Sequence, residues 1–448
     1  MTHTYANTFD KYVSDISELS REPELGHSMR KYFQFDDGWV NLNQGSYGTH
    51  PKAVGAALAA FQSASERRPD EFVRTTHPIL IDKSRAAVAA HLHAPVEEIV
   101  FVPNATTGVD TVIRSLKYSP GDKIVFFDFI YGSCENIIRY AEESTPVVGV
   151  KIAATFPISD DELVARLRET IQREQQSGAR VRLALFDSIV SMPGVRLPFE
   201  RLVGVCKELG VLSLIDGAHG VGHIPLDLGK LDADFFVSNC HKWLYVPRGC
   251  AVFHVPLRNQ HLIRSTIPTS HGYFPAGTPD PPSGKSNFVT MFEFVGTVDA
   301  SPALCVPAAL HFRAHVCGGE ARIMTYCSAL AKAGAELIAK HLGTEVLQRE
   351  NDECCLHNVR LPITAVEGEA RDGEAEVGRE HWGVIRPWLM DSFQAEFNTA
   401  VPVVFYGGCW WVRVSGQVYL EISDFEFAAR MIEEMCGRVG KKAYLELK

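Results

Sequence analysis

The sequence lacks the features that define several large classes of protein. No apolar run approaches the length of a membrane-spanning helix, and the polar N-terminus has no signal-peptide core. We therefore expect a cytoplasmic protein without a membrane partner. Basic residues do not cluster, and a net charge of −10 with a pI near 5.9 argues against a nucleic-acid partner. Internal repeats and low-complexity tracts are also absent from the sequence.

The cysteines follow no pattern that would organise a disulfide framework or a metal site. There are eleven, an odd number, and no CxxC or cysteine–histidine spacing predicts zinc, so we expect no metal. In a reducing compartment such cysteines pack as small apolar side chains. Adjacent Cys354 and Cys355 fit either this packing, which we favour, or a redox or nucleophilic pair.

The composition and the apolar pattern indicate a globular enzyme with a large core. The 448 residues are enough for two domains, and 46% are hydrophobic. Helical patterns alternate with short apolar runs that are continuous rather than alternating, which predicts an α/β fold with a largely parallel sheet covered by helices on both faces. Predicted strands cover 99–102, 123–128, 181–187 and 211–215, and predicted helices cover 79–92, 162–176 and 199–208.

Two apolar runs each carry a chemically useful residue to the carboxyl end of this sheet, where α/β proteins bind ligands. The run at 211–215 ends on Asp216, and the run that begins at 234 leads to His241 and Lys242. Pyridoxal phosphate (PLP) requires such a pair. An amine forms a Schiff base with its aldehyde, and an acid keeps its ring nitrogen protonated so that the ring accepts electrons. An Asp-Gly turn and a surface lysine are the alternatives, and the apolar runs argue against both.

Seven segments of the chain carry a family resemblance. They are Leu42–Gly48, Val102–Gly108, Ile130–Ser133, Asp216–His219, Ser238–Lys242, Glu293–Thr297 and Trp411–Ser415. In this order they resemble the class V aminotransferase-like family of fold-type I PLP enzymes, in particular its fungal members in loline and ergothioneine biosynthesis. The resemblance spans about residues 35–440. It implies an N-terminal arm (1–40) that packs on a small domain, a large PLP-binding domain (41–305) and a small α+β C-terminal domain (306–448).

The resemblance also implies catalytic roles for four residues. Lys242 holds the cofactor and acts as a base, while Asp216 pairs with the ring nitrogen. His219 lies near the ring oxygen, and Tyr131 stacks on the ring and delivers a proton. A structural histidine and a core tyrosine are the alternatives for the last two.

Further residues are expected to bind the cofactor. The phosphate is assigned to the backbone amides of Ala105 and Thr106, which open a helix, and to donors from Asn239 and His241. Thr297 matches a residue that reaches the phosphate in the neighbouring subunit, which implies a homodimer with shared sites.

Two residues near the ring and four on the substrate side complete the expected site. Asp187 orients neighbours of the ring, and Ser191 substitutes for an asparagine that relatives use. Arg413 is expected to grip the α-carboxylate of an amino-acid substrate, with an exposed strand arginine as the alternative. The remaining substrate contacts are Asn43, Gly45 and Tyr406.

The reaction is less strongly indicated than the cofactor. Residues 405–411 form an aromatic, uncharged stretch where the ergothioneine lyase has a basic cluster, and Gln44 and Tyr47 also depart from that lyase. We therefore expect decarboxylation of an amino acid that carries an N-heterocycle, followed by Mannich-type closure of a bicyclic alkaloid. The alternatives are β-elimination of a C–S bond, a cysteine desulfurase and an epimerase. The non-enzymatic alternative is a PLP-binding or structural dimer without turnover.

Overall fold

The computed structural model describes residues 15–19, 21–269, 272–282, 284–348, 353–365 and 373–445. The strands in these ranges are β1 (Ile99–Val102), β2 (Asp122–Phe127), β3 (Val148–Ile152), β4 (Arg180–Asp187), β5 (Ile189–Val190), β6 (Val195–Arg196), β7 (Leu212–Asp216), β8 (Phe235–Asn239), β9 (Ala251–His254), β10 (Leu356–Ala365), β11 (Ala375–Val377), β12 (Val403–Tyr406) and β13 (Cys409–Ser415).

The α-helices of the same ranges surround the two larger sheets. They are α1 (Gln44–Tyr47), α2 (Lys52–Arg67), α3 (Pro69–Glu71), α4 (His77–His91), α5 (Ala105–Ser115), α6 (Gly132–Ser144), α7 (Asp160–Gln176), α8 (Phe199–Leu209), α9 (Leu228–Leu231), α10 (Cys240–Trp243), α11 (Asn287–Glu293), α12 (Ser301–Leu304), α13 (Val306–His315), α14 (Glu320–Leu342), α15 (Trp382–Phe397) and α16 (Ile422–Gly440). No helix among the described residues is long and apolar enough to cross a membrane.

The larger sheet has seven strands in the order β1-β9-β8-β7-β4-β2-β3. β3, β2, β4, β7 and β8 run parallel, and β9 runs antiparallel to both of its neighbours. Successive residues of one strand enter different cores: Val125 belongs to one buried apolar cluster, and Ile124 and Phe126 belong to the other. Burial of both faces explains the continuous apolar strands. The predicted α/β fold with a mostly parallel sheet is confirmed.

The smaller sheet has the order β11-β10-β13-β12, with α14 and α16 packed against β10. The many charged residues at 367–379 predict an exposed loop when the sequence is taken alone. Residues 367–372 lie outside the described ranges, but 375–377 form strand β11, whose Val377 is fully buried. The loop prediction is therefore wrong at that end, because pairing with β10 supplies backbone partners that the local charge does not reveal.

The described part of the N-terminal segment lies against the C-terminal part of the chain. The Gly26 amide donates to the Val418 carbonyl at 2.7 Å, and the His27 ring lies 2.8 Å from the Asp424 carboxylate at the start of α16. Arg322 of α14 donates to the Pro23 carbonyl at 2.8 Å. The division into an arm, a large domain and a small domain stays a prediction.

Candidate active site

A cavity of about 150 Å³ lies at the carboxyl ends of the parallel strands. Its lining brings together most residues expected to hold a cofactor. The lining residues are Ser46, Ala105, Thr106, Tyr131, Asp187, Ser191, Asp216, Ala218, His219, Asn239, His241 and Lys242.

Two carboxylates lie side by side at the floor of this cavity. Asp187 ends β4 and Asp216 ends β7, and the two residues are partners in the strand register. Asp216 accepts hydrogen bonds from the Ala218 amide at 2.9 Å and from the Cys134 thiol at 3.2 Å. Asp187 Oδ2 is buried without a partner among the described residues. Burial, reinforced by the charge of Asp216, raises the pKa of Asp187 well above its usual range, so that one of the two carboxyls retains a proton.

The Lys242 amine is buried beside these acids. Its Nζ lies 3.1 Å from Nε2 of His219. Burial, with a contribution from the Arg413 charge, lowers the pKa of Lys242 to about 8, and burial also lowers the pKa of His219 well below its usual range. A minor fraction of the amine, larger than that of an ordinary lysine, is therefore unprotonated near neutral pH, and the unprotonated form is the one that attacks a carbonyl.

The backbone around Lys242 is fixed from the N-terminal side of the chain. The Gln44 side chain is fully buried and donates to the Lys242 carbonyl at 2.6 Å. Gly48 has a φ of +67°, and a Cβ there would lie 1.7 Å from the His241 carbonyl oxygen, so only glycine fits this approach. Gln44, one of the residues that differ from the ergothioneine lyase, therefore supports the backbone of the lysine segment. It does not line the cavity.

The other end of the cavity is built around the start of α5. The Ala105 amide, expected to bind phosphate, donates to the Asn239 side-chain oxygen at 2.8 Å, and the Thr107 amide donates to Asn104. The Thr106 amide has no protein acceptor among the described residues. Nδ1 of His241 lies 3.2 Å from a backbone carbonyl, which leaves its Nε2 for a ligand. Burial lowers the pKa of His241 to about 4.

Arg413 lies directly behind two lining residues. It is 2% exposed, and its guanidinium donates to the Ser191 carbonyl at 2.5 Å, to Asn43 Oδ1 at 3.0 Å and to Ser46 Oγ at 3.3 Å. These acceptors are all neutral, and Nε has no partner among the described residues. Burial lowers the pKa of Arg413 to about 10, so the group remains a cation at neutral pH without a described carboxylate beside it. Such a buried charge is costly unless an anion joins it.

The structure leaves five predicted site residues outside the lining: Asn43 and Arg413, which lie behind it, and Gly45, Tyr406 and Thr297. A Cβ on Gly45 would lie 3.3 Å from the rings of His219 and Trp243, so Gly45 permits close packing behind the site. Tyr406 accepts a hydrogen bond from the Phe156 amide at 2.7 Å, away from the described lining. Thr297 is exposed. The individual roles of all predicted site residues stay predictions.

The sequence matches the family model described as "Aminotransferase class-V" over residues 51–367. The L-cysteine desulfhydrase-like protein lolT1 of Epichloe uncinata is 36% identical over 444 residues, which cover 94% of this chain and 98% of that protein. The hercynylcysteine sulfoxide lyase of Schizosaccharomyces pombe is 32% identical over 420 residues, 92% of this chain and 98% of that lyase.

The chain belongs to the class V aminotransferase family.

Solved structures agree with this fold. The cystine C–S lyase C-DES, in complex with its product cysteine persulfide, matches with a TM-score of 0.69 at 18% identity, covering 89% of this chain and 98% of that one. The cysteine desulfurase CsdA of Escherichia coli has a TM-score of 0.69 at 19% identity, covering 92% and 98%. The resemblance noted in the sequence is confirmed, and class V membership makes this protein a PLP-dependent enzyme.

The cavity residues fit the cofactor of class V enzymes. Lys242 supplies a partly neutral amine for the aldehyde, and Asp216 supplies a hydrogen-bonded carboxylate for a protonated ring nitrogen. The free Thr106 amide at the start of a helix is suited to the phosphate. Nε2 of the neutral His241 can only accept a hydrogen bond, since Nδ1 carries the proton that is donated to the Cys250 carbonyl. The fit rests on an amine, a carboxylate and a backbone amide that line the same cavity.

Sequence reasoning missed four residues that build this class V site. Ser46 and Ala218 line the cavity, Cys134 donates to Asp216, and the Trp243 ring nitrogen lies 3.2 Å from His219. Ser46, Ala218 and Trp243 fall within or next to the resembling segments, which is a signal that could have drawn attention to them. No local pattern connects Cys134 with a residue 82 positions away.

Proposed function

We propose that this protein is a PLP-dependent lyase that acts at Cα of an α-amino acid and eliminates a sulfur group from Cβ. One observation carries the proposal: the partly neutral Lys242 amine and the buried Arg413 cation, which has no described carboxylate partner, flank the same small cavity. An α-amino acid brings a carboxylate for the cation and a Cα proton for the amine.

Arg413 would hold the substrate by its α-carboxylate. Asn43 and Ser46 place neutral oxygens on the guanidinium now, and a carboxylate that replaced them would make charge-assisted bonds with the planar fork. The carboxylate would thereby be retained, and the Cα proton would be the group that leaves. This reasoning favours deprotonation over loss of CO2.

Lys242 would accept that proton once its amine is free. Bound PLP supplies an electron sink that stabilises negative charge at Cα. The Asp216 carboxylate would hold a protonated ring nitrogen, and the burial that raises the pKa of Asp187 disfavours a second negative charge beside it. When the C–S bond breaks, its electron pair leaves with sulfur, and hydrolysis of the remaining fragment gives pyruvate and ammonia.

The cysteines favour elimination over a desulfurase mechanism, which needs a protein thiol to accept sulfur. All eleven cysteines lie in the described ranges, and none lines the cavity. The released sulfur would therefore leave as a thiol or sulfide. The names of lolT1 and of the S. pombe lyase, desulfhydrase-like and sulfoxide lyase, also point to C–S chemistry.

Decarboxylation with Mannich-type ring closure is the second candidate. The aromatic stretch that suggested it does not line the cavity, since Tyr406 bonds to Phe156 and Trp410 is buried. Tyr131 does line the cavity and is 47% exposed, so one aromatic ring remains available to a cationic heterocycle. Lys242 is the one lysine or arginine in the described lining. A substrate with a second carboxylate would therefore find no further cationic side chain in the lining to pair with it.

Product analysis separates the two candidates. The holoenzyme is incubated with S-substituted cysteines and their sulfoxides, and separately with amino acids that carry a cyclic amine. Release of pyruvate and ammonia in equal amounts is the expected result, together with an equal amount of a thiol from the S-substituted cysteines or of a sulfenic acid from their sulfoxides. Release of CO2 without pyruvate from the cyclic-amine substrates would overturn elimination in favour of ring closure.

The proposal includes a homodimer with shared sites. Thr297 is exposed and lies outside the cavity of its own chain, next to Val298, which is 73% exposed. An exposed position of this kind is compatible with a contact to the cavity of a second copy.

A further inference from the structure

We propose that Trp243 is a positioning residue that fixes the proton of His219 on Nε2 and thereby favours the neutral form of the Lys242 amine. The inference concerns the enzyme before a substrate binds, so it applies to elimination and to ring closure alike.

The first step is the direction of the bond between Trp243 and His219. The indole nitrogen lies 3.2 Å from Nδ1 of His219, and an indole N–H can only donate. Nδ1 must therefore be the acceptor and carry no proton. His219 is 1% exposed, and burial keeps its ring neutral by lowering its pKa. A neutral imidazole with a bare Nδ1 carries its proton on Nε2.

The second step is the consequence for Lys242. Nε2 of His219 lies 3.1 Å from the Lys242 amine, and in this tautomer Nε2–H can only donate. Nζ must then accept, and only a neutral amine has a lone pair. A protonated Lys242 would need an acceptor at Nε2, which the indole bond at Nδ1 denies. Trp243 thus acts on the nucleophilic amine through an imidazole that it orients.

The indole is itself held on several sides. The His223 ring packs on it with a centroid distance of 3.9 Å and an interplanar angle of 32°. Nε2 of His223 accepts from the Cys355 amide at 2.7 Å, so Nδ1 carries the proton and donates to the His219 carbonyl at 2.9 Å. Arg313 donates to the Trp243 carbonyl at 2.7 Å. Through its backbone amide, Cys355 therefore helps to hold the His223 ring against the indole.

Other charged and titratable groups face the same pair and would stay unchanged if only the indole were replaced. They are Arg413 of β13, Asp187 of β4, Asp216 of β7, Cys134 of α6, and the neighbouring histidines His223 and His241. A change on replacing Trp243 would therefore report the indole N–H.

The tautomer can be measured directly in the unaltered protein. The cofactor-free enzyme is labelled with 15N-histidine, and two-bond 15N–1H correlations are recorded near pH 7, with a His219→Gln variant to assign the signals. We expect His219 to be neutral with the proton on Nε2. A proton on Nδ1, or a charged ring, would overturn the proposal without any reference to catalysis.

A variant tests the effect on Lys242. Trp243→Phe retains a ring for His223 but removes the donor, so His219 can turn its bare nitrogen to a lysine ammonium. The rate at which cofactor-free enzyme captures PLP, followed by absorbance, should rise with pH through a midpoint set by Lys242. We expect this midpoint to move upward by about one pH unit, the size expected when a charged group gains a hydrogen bond.

Trp410→Phe is the matched control. Trp410 is also 2% exposed, but its ring nitrogen has no partner among the described residues. Its replacement should leave the midpoint unchanged. Equal midpoints for the wild type and Trp243→Phe would contradict the proposal. If Trp243→Phe failed to fold, as judged by circular dichroism, the tautomer measurement would still decide.

Discussion

The cavity has an acidic side and a cationic side, and the two differ in how they carry buried charge. The acidic side is Asp187 and Asp216, adjacent on two strands of the larger sheet. The cationic side is Arg413 on β13 of the smaller sheet, bonded to neutral oxygens. The acidic side therefore places two carboxyl groups on neighbouring strand positions, whereas the cationic side holds one charge alone.

The difference lies in what each side can do without a ligand. A carboxyl can relieve crowding by keeping a proton, and the raised pKa of Asp187 indicates that it does. A guanidinium with a pKa of about 10 cannot lose its proton near neutral pH. The acidic side is thus complete in the free protein, while the cationic side is completed by an anion. This asymmetry is the reason for proposing Arg413 as the site of the substrate carboxylate.

The largest expected effect comes from removing the amine that both sides face. Lys242→Ala should abolish turnover and the yellow absorbance that borohydride bleaches, because Lys242 is the only amine in the described lining. The measurement is an absorbance spectrum of the purified protein before and after reduction. Lys230→Ala, at an exposed lysine paired with Asp227, is the control and should stay yellow. Unchanged colour in Lys242→Ala would refute the assignment.

A smaller effect should follow from changing the cationic side alone. Arg413→Lys keeps the charge but loses the planar fork, so amino-acid binding should weaken by about 1–3 kcal/mol, or roughly 5- to 150-fold in Kd. The Kd is measured by spectral titration of the holoenzyme with a substrate amino acid. An unaltered Kd would reject Arg413 as the carboxylate site.

Arg360→Lys is the matched control for that experiment. Arg360 is equally buried on the neighbouring strand β10, but Glu345 and Glu374 pair with it at 3.0 and 2.7 Å. Its replacement should lower stability and leave the Kd unchanged. A similar loss of affinity in both variants would mean that any damage to the small sheet weakens binding.

The predicted site residues that the structure brings together in one cavity share a simple position. Asp187, Asp216, Asn239 and Lys242 follow apolar strands, and the carboxyl ends of parallel strands lie along one edge. Trp243 was not assigned a role, because nothing in its neighbourhood tells which atom its ring nitrogen will reach. Arg413 was predicted through family resemblance, since its strand belongs to a different sheet.

The aromatic stretch at 405–411 shows what composition alone leaves open. Gly407 and Gly408 have φ values of +57° and +80° and close a tight hairpin between β12 and β13. That turn sets which face of the sheet each ring lies on, and Phe405 packs on Trp382. The sequence shows that this stretch is uncharged and aromatic, but the direction in which each ring points depends on the register of the two strands.

The smallest expected effect tests the proton on the acidic side. Asp187 has a raised pKa in the folded protein, whereas an unfolded aspartate ionises near about 3.9. Above that pH the folded protein binds more protons than the unfolded chain, so a rise in pH costs stability until the folded pKa is passed. Asp187→Asn removes this linkage. Its free energy of unfolding, measured by urea denaturation of cofactor-free protein, should therefore improve relative to wild type between pH 5 and pH 8.

Asp122→Asn gives the opposite case, because the hydrogen bond from Arg180 lowers the pKa of Asp122. The stability that Asp122 contributes is fully present above the unfolded pKa and is lost only as pH falls through the folded one. The deficit of Asp122→Asn should thus stay constant from pH 5 to pH 8, while the difference for Asp187→Asn changes. Parallel pH profiles for Asp187→Asn and wild type would show that Asp187 is ionised, and both carboxyls would then face the cavity as anions.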